Sequence, residues 1–473
     1  MLLFLAVALA LRANTFASPN LSVDEAFYQT VGVAMHKGYL PYVDIWDRKP
    51  WGLFFLFYLI AFLSSSPLAY KLVACLFSAA TAWCIARFAT LGRPNARAGL
   101  PCGLVYLLWL DPLQGFGGQS PVFYNLFIAT AALLVYRARG QLLAGEAPKR
   151  VALAMLLAGC AITIKTTALF EAVFLGLAAA FWQLKAQAGP ALPRRFATIA
   201  AWALIGALPA LAIAAWYALH GYWDIYWHAM VTSNLDKPGN VRDGAIRATI
   251  DFILLAPVLI VGVLALPEWK GAPFAFLRAW LLAALVGLCS VPRFYMHYCL
   301  PILVPLSILP ARFLERRILG PLAVAALAIW SVPQSQAFDF ARSQKARAGM
   351  EALLTAIRQN DDGRDIYVVD APPALYMMSG HRIPSPLIFP GHLAHTIERD
   401  VSHLSTIGEV RRVLATHPGI IVVPPKVNDG PENREVMGTV RAYAHAHCRK
   451  VASVRVTEIM TENLDEVWAH CTP

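Results

Sequence analysis

Apolar residues along this chain gather in runs separated by short polar stretches, near residues 2–13, 51–63, 67–91, 99–110, 121–136, 151–164, 167–184, 197–219, 250–266, 274–291, 295–310 and 318–332. A helix that crosses a bilayer needs roughly 20 apolar residues. The pattern therefore predicts a polytopic helical membrane protein whose shortest runs are truncated, extended by amphipathic turns, or not full crossings. From about residue 338 the texture changes. The stretches "RDIYVVD" (364–370), "GIIVVPP" (419–425) and "KVASVRVTEI" (450–459) read as strands, and 345–359, 408–416 and 432–447 as helices bounded by Pro, Gly or Asp. The expected organisation is a transmembrane domain over 1–335 with a first outer loop at 14–50, then a small soluble α/β domain over 338–473, long enough to bury a core of its own.

Composition sharpens this reading. Of 473 residues, 58% are hydrophobic and only 15% charged, where a soluble chain would carry about a quarter charged. The net charge of +11 does not point to nucleic acid, because Lys and Arg sit in short clusters between apolar runs and not on one basic face. Topology signals and contact with anionic membrane lipids account for the excess. Arg87, Arg93 and Arg97, then Arg137, Arg139, Lys149 and Arg150, then Lys185, Arg194 and Arg195, then Arg312, Arg316 and Arg317 mark four loops as cytoplasmic. Alternation puts the loops around Asp111, Lys165, 220–249 and Arg293 to His297 outside, together with everything after residue 332. The run 51–63 cannot cross alongside 67–91 without inverting this pattern, so it is expected to be re-entrant or juxtamembrane. That leaves about eleven crossings, in a fold expected to hold about 11–13 transmembrane helices.

Six of the eight cysteines lie in or beside apolar runs without metal-ligand spacing and read as small core residues; Cys448 and Cys471 fall in the polar tail, where an oxidising compartment permits a disulfide. The opening "MLLFLAVALALRANTF" has an apolar core like a signal peptide but lacks a basic start, and reads as a retained first helix.

Candidate chemistry concentrates in "SVDEAFYQTVGVAMHKGYLPYVDIWDRKPWG" (22–52). Ala26, Phe27, Val31, Ala34 and Met35 recur near helical spacing, and Asp24 and Glu25 occupy the first turn, where a helix dipole favours acids. A short amphipathic helix lying on the membrane is expected; capping alone is an equally good account of the two acids. Asp44, Asp47, Arg48 and Lys49 then precede Pro50, an arrangement that also suits snorkelling side chains at a helix start.

The two clusters together resemble the first outer loop of the GT-C glycosyltransferase superfamily, closest to bacterial lipid-A aminoarabinose transferases and protein O-mannosyltransferase-like (glycosyltransferase family 39-like) enzymes. In those, an Asp-Glu pair opens the loop and a Lys-Pro-Pro motif ends it. Here the pair is Asp24-Glu25 and the second motif is Lys49-Pro50, followed by Trp51 in place of the second Pro. "RFYMHYCLPILVPLSIL" (293–309) and "IYVVDAPPALYMMSGHRIPSP" (366–386) are similar, more loosely, to a later helix start and to the outer soluble domain of those enzymes.

The resemblance implies a GT-C-like fold and an enzyme of the bacterial cytoplasmic (inner) membrane, with its active site and C-terminal domain on the periplasmic side. It implies transfer of a sugar from a polyprenyl-phosphate donor to a glycan, lipid or protein acceptor, with inversion. That chemistry needs a carboxylate to take the acceptor proton and cations to hold the departing phosphate. Asp24 is the expected base, with Glu25 orienting it or touching acceptor; Lys49 is the expected phosphate ligand, with Arg293 adding a bidentate grip.

His297, four residues beyond Arg293, would face the same way on a helix, although a His at a helix start is more often structural. Lys165 is, with Glu171, the only charge between Arg150 and Lys185; it is either a functional intramembrane cation or a snorkelling residue in a tight turn. Asp44, Asp47 and Asp111 are candidates for sugar or acceptor contact. Asp111 is equally a turn former before Pro112, and although it is available to a divalent metal, no metal or other cofactor is expected as a requirement. The Trp- and Tyr-rich segment 221–244 suits an interfacial belt first and sugar stacking second.

No Walker loop, zinc pattern or nucleophile elbow is present. A transporter or flippase, or a non-catalytic binder of lipid-linked glycans, is the alternative class; transporters commonly show two similar halves, and no repeat is visible in this sequence.

Overall fold

The computed structural model describes residues 1–93, 96–235, 241–428 and 430–472. Residues 236–240 of the aromatic segment expected at the interface thus lie outside the described residues. The chain forms two compact units, one of residues 1–13, 72–215 and 239–338, the other of residues 14–71, 216–238 and 339–473. The change of texture near 338 coincides with a unit boundary, and the first outer loop belongs to the same unit as the C-terminal residues.

The first unit is helical, and every apolar run assigned to it becomes helix. It contains α1 (Leu2–Arg12), most of α4 (Pro67–Ala89; α2 and α3 belong to the second unit), α5 (Gly99–Leu110), α6 (Ser120–Arg137) and the later apolar helices. Among the described residues, five helices are long and apolar enough to cross a membrane: Pro67–Ala89, Ser120–Arg137, Leu192–Leu219, Arg242–Glu268 and Gly271–Cys289; six shorter apolar helices accompany them. Helix Leu192–Leu219 turns Leu204, Leu208 and Leu211 outward, which water would penalise and lipid does not. The protein is a multi-pass membrane protein.

Inside this unit Arg12 is buried, and it binds Asp111 at 3.1 Å, Ser78 Oγ at 2.7 Å and the Gly115 carbonyl at 2.6 Å. One guanidinium thereby ties α1 to α4 and to the turn after α5. A cation at that depth persists because each of its nitrogens has a partner.

The second unit is built around α2 (Val23–Met35), α3 (Trp51–Ala61) and a four-stranded sheet. The expected helix over the Asp-Glu pair is present as α2, with both acids in its first turn. It does not lie open on a surface, because Glu25 to Gly32 and Ala34 are all buried. Gly32 lets α3 approach so closely that an added Cβ would stand 2.6 Å from the Phe57 carbonyl carbon. With 11 residues, α3 rises about 16 Å, too little to cross the hydrocarbon core alone.

The sheet has the order β1-β2-β4-β3, from β1 (Ile366–Val368), β2 (Ile420–Val423), β3 (Arg449–Thr457) and β4 (Glu462–Ala469). Strands β1 and β2 pair in parallel, as a crossover through helix Thr406–Leu414 requires, while β3 and β4 form an antiparallel hairpin. The Cys448–Cys471 disulfide joins the start of β3 to the residues after β4.

Candidate functional site

The charged loop of residues 14–50 folds around Lys49. Its ammonium lies 3.3 Å from Asp24 Oδ1 and 3.5 Å from Asp47 Oδ1. It also stands over two aromatic rings, Phe389 at 4.9 Å and Tyr28 at 5.4 Å from the centroids. Asp24 and Lys49 keep 22% and 21% of their side chains exposed, enough for a ligand to reach both. Local chemistry brings them together. Tyr42 adopts φ 70°, and its hydroxyl donates to the Lys49 carbonyl at 2.9 Å, folding the loop back. Pro50, extended at φ −64° and ψ 148°, then starts α3 at Trp51.

Asp47 is buried. It accepts from the Lys49 backbone N–H at 2.8 Å and lies 3.7 Å from His392 Nε2. Burial alone pushes its carboxyl up; the charges of Lys49, His392 and Arg48, with the Lys49 backbone hydrogen bond, overcome that and hold it below the ordinary value. Arg48 pairs with Glu398, and the Trp46 N–H donates to the Pro386 carbonyl at 2.9 Å. Residues 386–398 therefore complete the loop site with Phe389, His392 and Glu398, none of which carried a sequence signal. A His-rich stretch, "FPGHLAH" (389–395), is the nearest thing to one, and it lacks any spacing rule.

Glu25 is 0% exposed. The Tyr70 hydroxyl and the Lys71 ammonium both lie within electrostatic reach of it. Lys71 Nζ in turn donates to the carbonyls of Thr15 and Ser18. Of the two roles expected for Glu25, these surroundings support orientation, since a fully enclosed carboxylate offers no face to an acceptor. Asp44 is exposed and accepts from the Leu40 N–H at 2.7 Å, a local turn contact.

The other sequence candidates lie in the first unit. Lys165 sits in the tight turn between helices Lys149–Ile164 and Ala168–Leu184, with its ammonium 4.7 Å from the Tyr298 ring centroid. His297 is buried, its Nδ1 3.4 Å from Gln114 Oε1 and its ring 4.8 Å from that of Tyr298. The helical face expected to carry Arg293 and His297 is not formed: residues 292–293 are a turn, Phe294 has φ 44°, and a 3-10 turn begins only at Met296. Two prolines, Pro292 and Pro301, flank that segment. Arg247, not singled out in the sequence, stacks 4.3 Å over the Tyr295 ring and donates to the Arg293 carbonyl at 3.5 Å. Asp111 is held by Arg12, a structural contact. Among the described residues no three His, Cys, Asp or Glu side chains gather as a metal site.

No family model matches the chain, and no curated protein matches it. Among solved structures, ArnT from Cupriavidus metallidurans bound to undecaprenyl phosphate aligns over 98% of this chain and 97% of its own, with a TM-score of 0.63 and 15% identity. The same enzyme in the apo state aligns with equal coverage, a TM-score of 0.64 and 14% identity. Across nearly its whole length, then, this chain has the fold of ArnT, a helical membrane region followed by a small α/β domain.

Proposed function

We propose that the protein is an inverting glycosyltransferase that takes a sugar from a polyprenyl-phosphate donor and passes it to a surface glycan, lipid or protein acceptor. The observation that carries this reading is the Asp24–Lys49 pair at 3.3 Å, both side chains partly exposed. It sits in a chain whose fold is that of an enzyme solved with undecaprenyl phosphate bound.

In the proposed reaction the acceptor hydroxyl attacks the anomeric carbon as the bond from that carbon to the donor phosphate oxygen breaks. Asp24 takes the hydroxyl proton. The leaving phosphate gains negative charge, which cationic side chains stabilise: Lys49 by displacing its contact with Asp24, and Lys165, Arg293 and His297 as further donor ligands. Glu25 and Asp47 fix the geometry, Glu25 through α2 and Asp47 through Lys49. Asp44 and Asp111 are the remaining sugar or acceptor candidates, and their turn and Arg12 contacts give that role the least support.

We place the protein in the bacterial inner membrane with the C-terminal domain on the periplasmic side, a reading supported by the Cys448–Cys471 disulfide, which an oxidising compartment sustains. The test uses purified protein in lipid nanodiscs with a panel of polyprenyl-phosphate monosaccharides, with and without membrane extract as acceptor, following release of polyprenyl phosphate. Release by wild type and none by Asp24→Asn, with donor binding retained, is expected. Normal turnover in Asp24→Asn refutes the base, and binding without release under every condition points to a transporter or binding protein.

A further inference from the structure

We propose that the pocket between the C-terminal end of α2 and helix Ala374–Ser379 is a second binding site, and that it takes a sugar unit carrying a single carboxylate, a uronic acid. Binding there does not depend on the transferase reading; on that reading, the ligand is an acidic unit of the acceptor glycan.

The cavity measures about 270 Å³, just below the range of about 300–1,000 Å³ that encloses drug-sized ligands, which suits one sugar ring and not an extended chain. Val33 and Ala34 of α2, with Met377 of the facing helix, give it an apolar wall. At the end of α2 the N–H groups of Lys37 and Tyr39 both donate to the Ala34 carbonyl, at 2.8 and 3.2 Å, and this closing turn brings the two side chains to the lining. Gly380, at φ 83°, ends the facing helix, and the chain beyond it supplies His381 and Arg382. The site is separate from the Asp24–Lys49 pair. The 13 residues of α2 rise about 20 Å, with Asp24 in the first turn and the pocket against the last two.

Charge selects the ligand. Arg382 is already engaged, its Nε and Nη2 donating to the two Asp365 carboxylate oxygens at 2.5 Å each. His381 is held at both ring nitrogens, Nδ1 3.0 Å from Ser379 Oγ and Nε2 3.3 Å from Asp361 Oδ1. Lys37, which is exposed, has no carboxylate partner and no side-chain hydrogen bond among the described residues. The lining therefore holds one uncompensated positive charge. A carboxylate, with one negative charge, matches it, whereas a phosphate monoester brings about −1.5 to −2 at neutral pH. The Tyr39 hydroxyl accepts the Ile383 N–H at 3.2 Å and keeps its own proton to donate. One ammonium for the carboxylate, one phenol for a ring hydroxyl and an apolar wall for the C–H face of the ring together describe a seat for an acidic sugar.

The test is a binding measurement and needs no turnover, so its result stands whether or not the protein proves to be a transferase. Full-length protein in nanodiscs of zwitterionic lipid is titrated with glucuronate, glucose and glucose 6-phosphate, followed by ligand-observed NMR, with inorganic phosphate as competitor. Glucuronate is expected to bind saturably, glucose 6-phosphate more weakly and glucose not at all. Lys37→Gln should weaken glucuronate at least about tenfold, and Tyr39→Phe, which keeps the ring and removes the donor, about threefold. Lys49→Met, which removes the cation of the loop site, should retain glucuronate binding. Absence of saturable binding in wild type, equal affinity in wild type and Lys37→Gln, or loss of binding in Lys49→Met overturns the proposal. So does tighter binding of glucose 6-phosphate than of glucuronate, or displacement of glucuronate by an equal concentration of inorganic phosphate, because either means that the pocket reads charge and not an acidic sugar. Loss of binding when phosphatidylglycerol is added to the nanodiscs assigns the pocket to a lipid headgroup and overturns it as well.

Discussion

Lys49→Met isolates the charge at the centre of the loop site, because a methionine keeps the apolar stem between Tyr28 and Phe389 while deleting the ammonium. At 3.3 Å from Asp24 and 3.5 Å from Asp47, the attraction to each carboxylate is about 4–5 kcal/mol at an effective dielectric of about 20. Desolvation of the three charged groups offsets most of it, and a net loss of about 1–3 kcal/mol is expected on removal. Two facing carboxylates then share no cation.

Asp47, held below the ordinary value against burial first by the Lys49 charge, should rise when that charge is deleted. A depressed carboxyl contributes stability that is present above its unfolded value and lost as pH falls through its folded value. In the variant that loss should therefore begin at a higher pH, and the stability remaining at neutral pH should be smaller. Thermal unfolding in nanodiscs from about pH 3 to about pH 8 reads both effects. Titration with a polyprenyl-phosphate sugar should show at least about tenfold weaker binding, the equivalent of 1.4 kcal/mol. An unchanged acid limb together with unchanged donor affinity would refute the reasoning, because no cation of consequence would then stand between the two acids.

Gly32→Ala should push α2 and α3 apart, since backbone and not a flexible side chain blocks the added carbon; about 1–3 kcal/mol of destabilisation and a drop in turnover are expected, read by thermal melting and the release assay. Truncating Arg12 to Ala should destabilise the helical region by about 3–5 kcal/mol by stranding Asp111, while Arg12→Met with Asp111→Leu should recover most of it, as comparison of the two melts will show. Removing the Cys448–Cys471 bond by double replacement with Ala should cost about 3 kcal/mol for its separation of 23 residues, seen as a lower unfolding midpoint that reductant reproduces in wild type.

The helical membrane region was legible because burial in lipid demands long apolar runs, and each run from 2–13 to 318–332 became helix. Strands β1, β2 and β3 were legible from their β-branched residues, and β4 was not: "ENLDEVWA" mixes acids with apolar residues and becomes a strand by pairing with β3 and β2. At the loop site, Asp24 and Lys49 were legible because they lie close in sequence within one charged stretch. Phe389, His392 and Glu398 were invisible, since contacts across more than 300 residues leave no local pattern. The helical face expected to carry Arg293 and His297 did not form, because Phe294 takes a positive φ between them.

The grouping of residues 14–71 with residues 339–473 also sets an order of events during synthesis. Asp24 and Lys49 emerge early, yet the Phe389 ring beneath Lys49 is made 340 residues later by their numbering. At about 5–20 residues per second the loop waits on the order of tens of seconds for its covering. Until then its acids and aromatics must sit at the membrane face without their partners. A chain that stalls after the last apolar helix would carry the charged motif and lack the surfaces that shape it, so partial translation products should hold no assembled loop site.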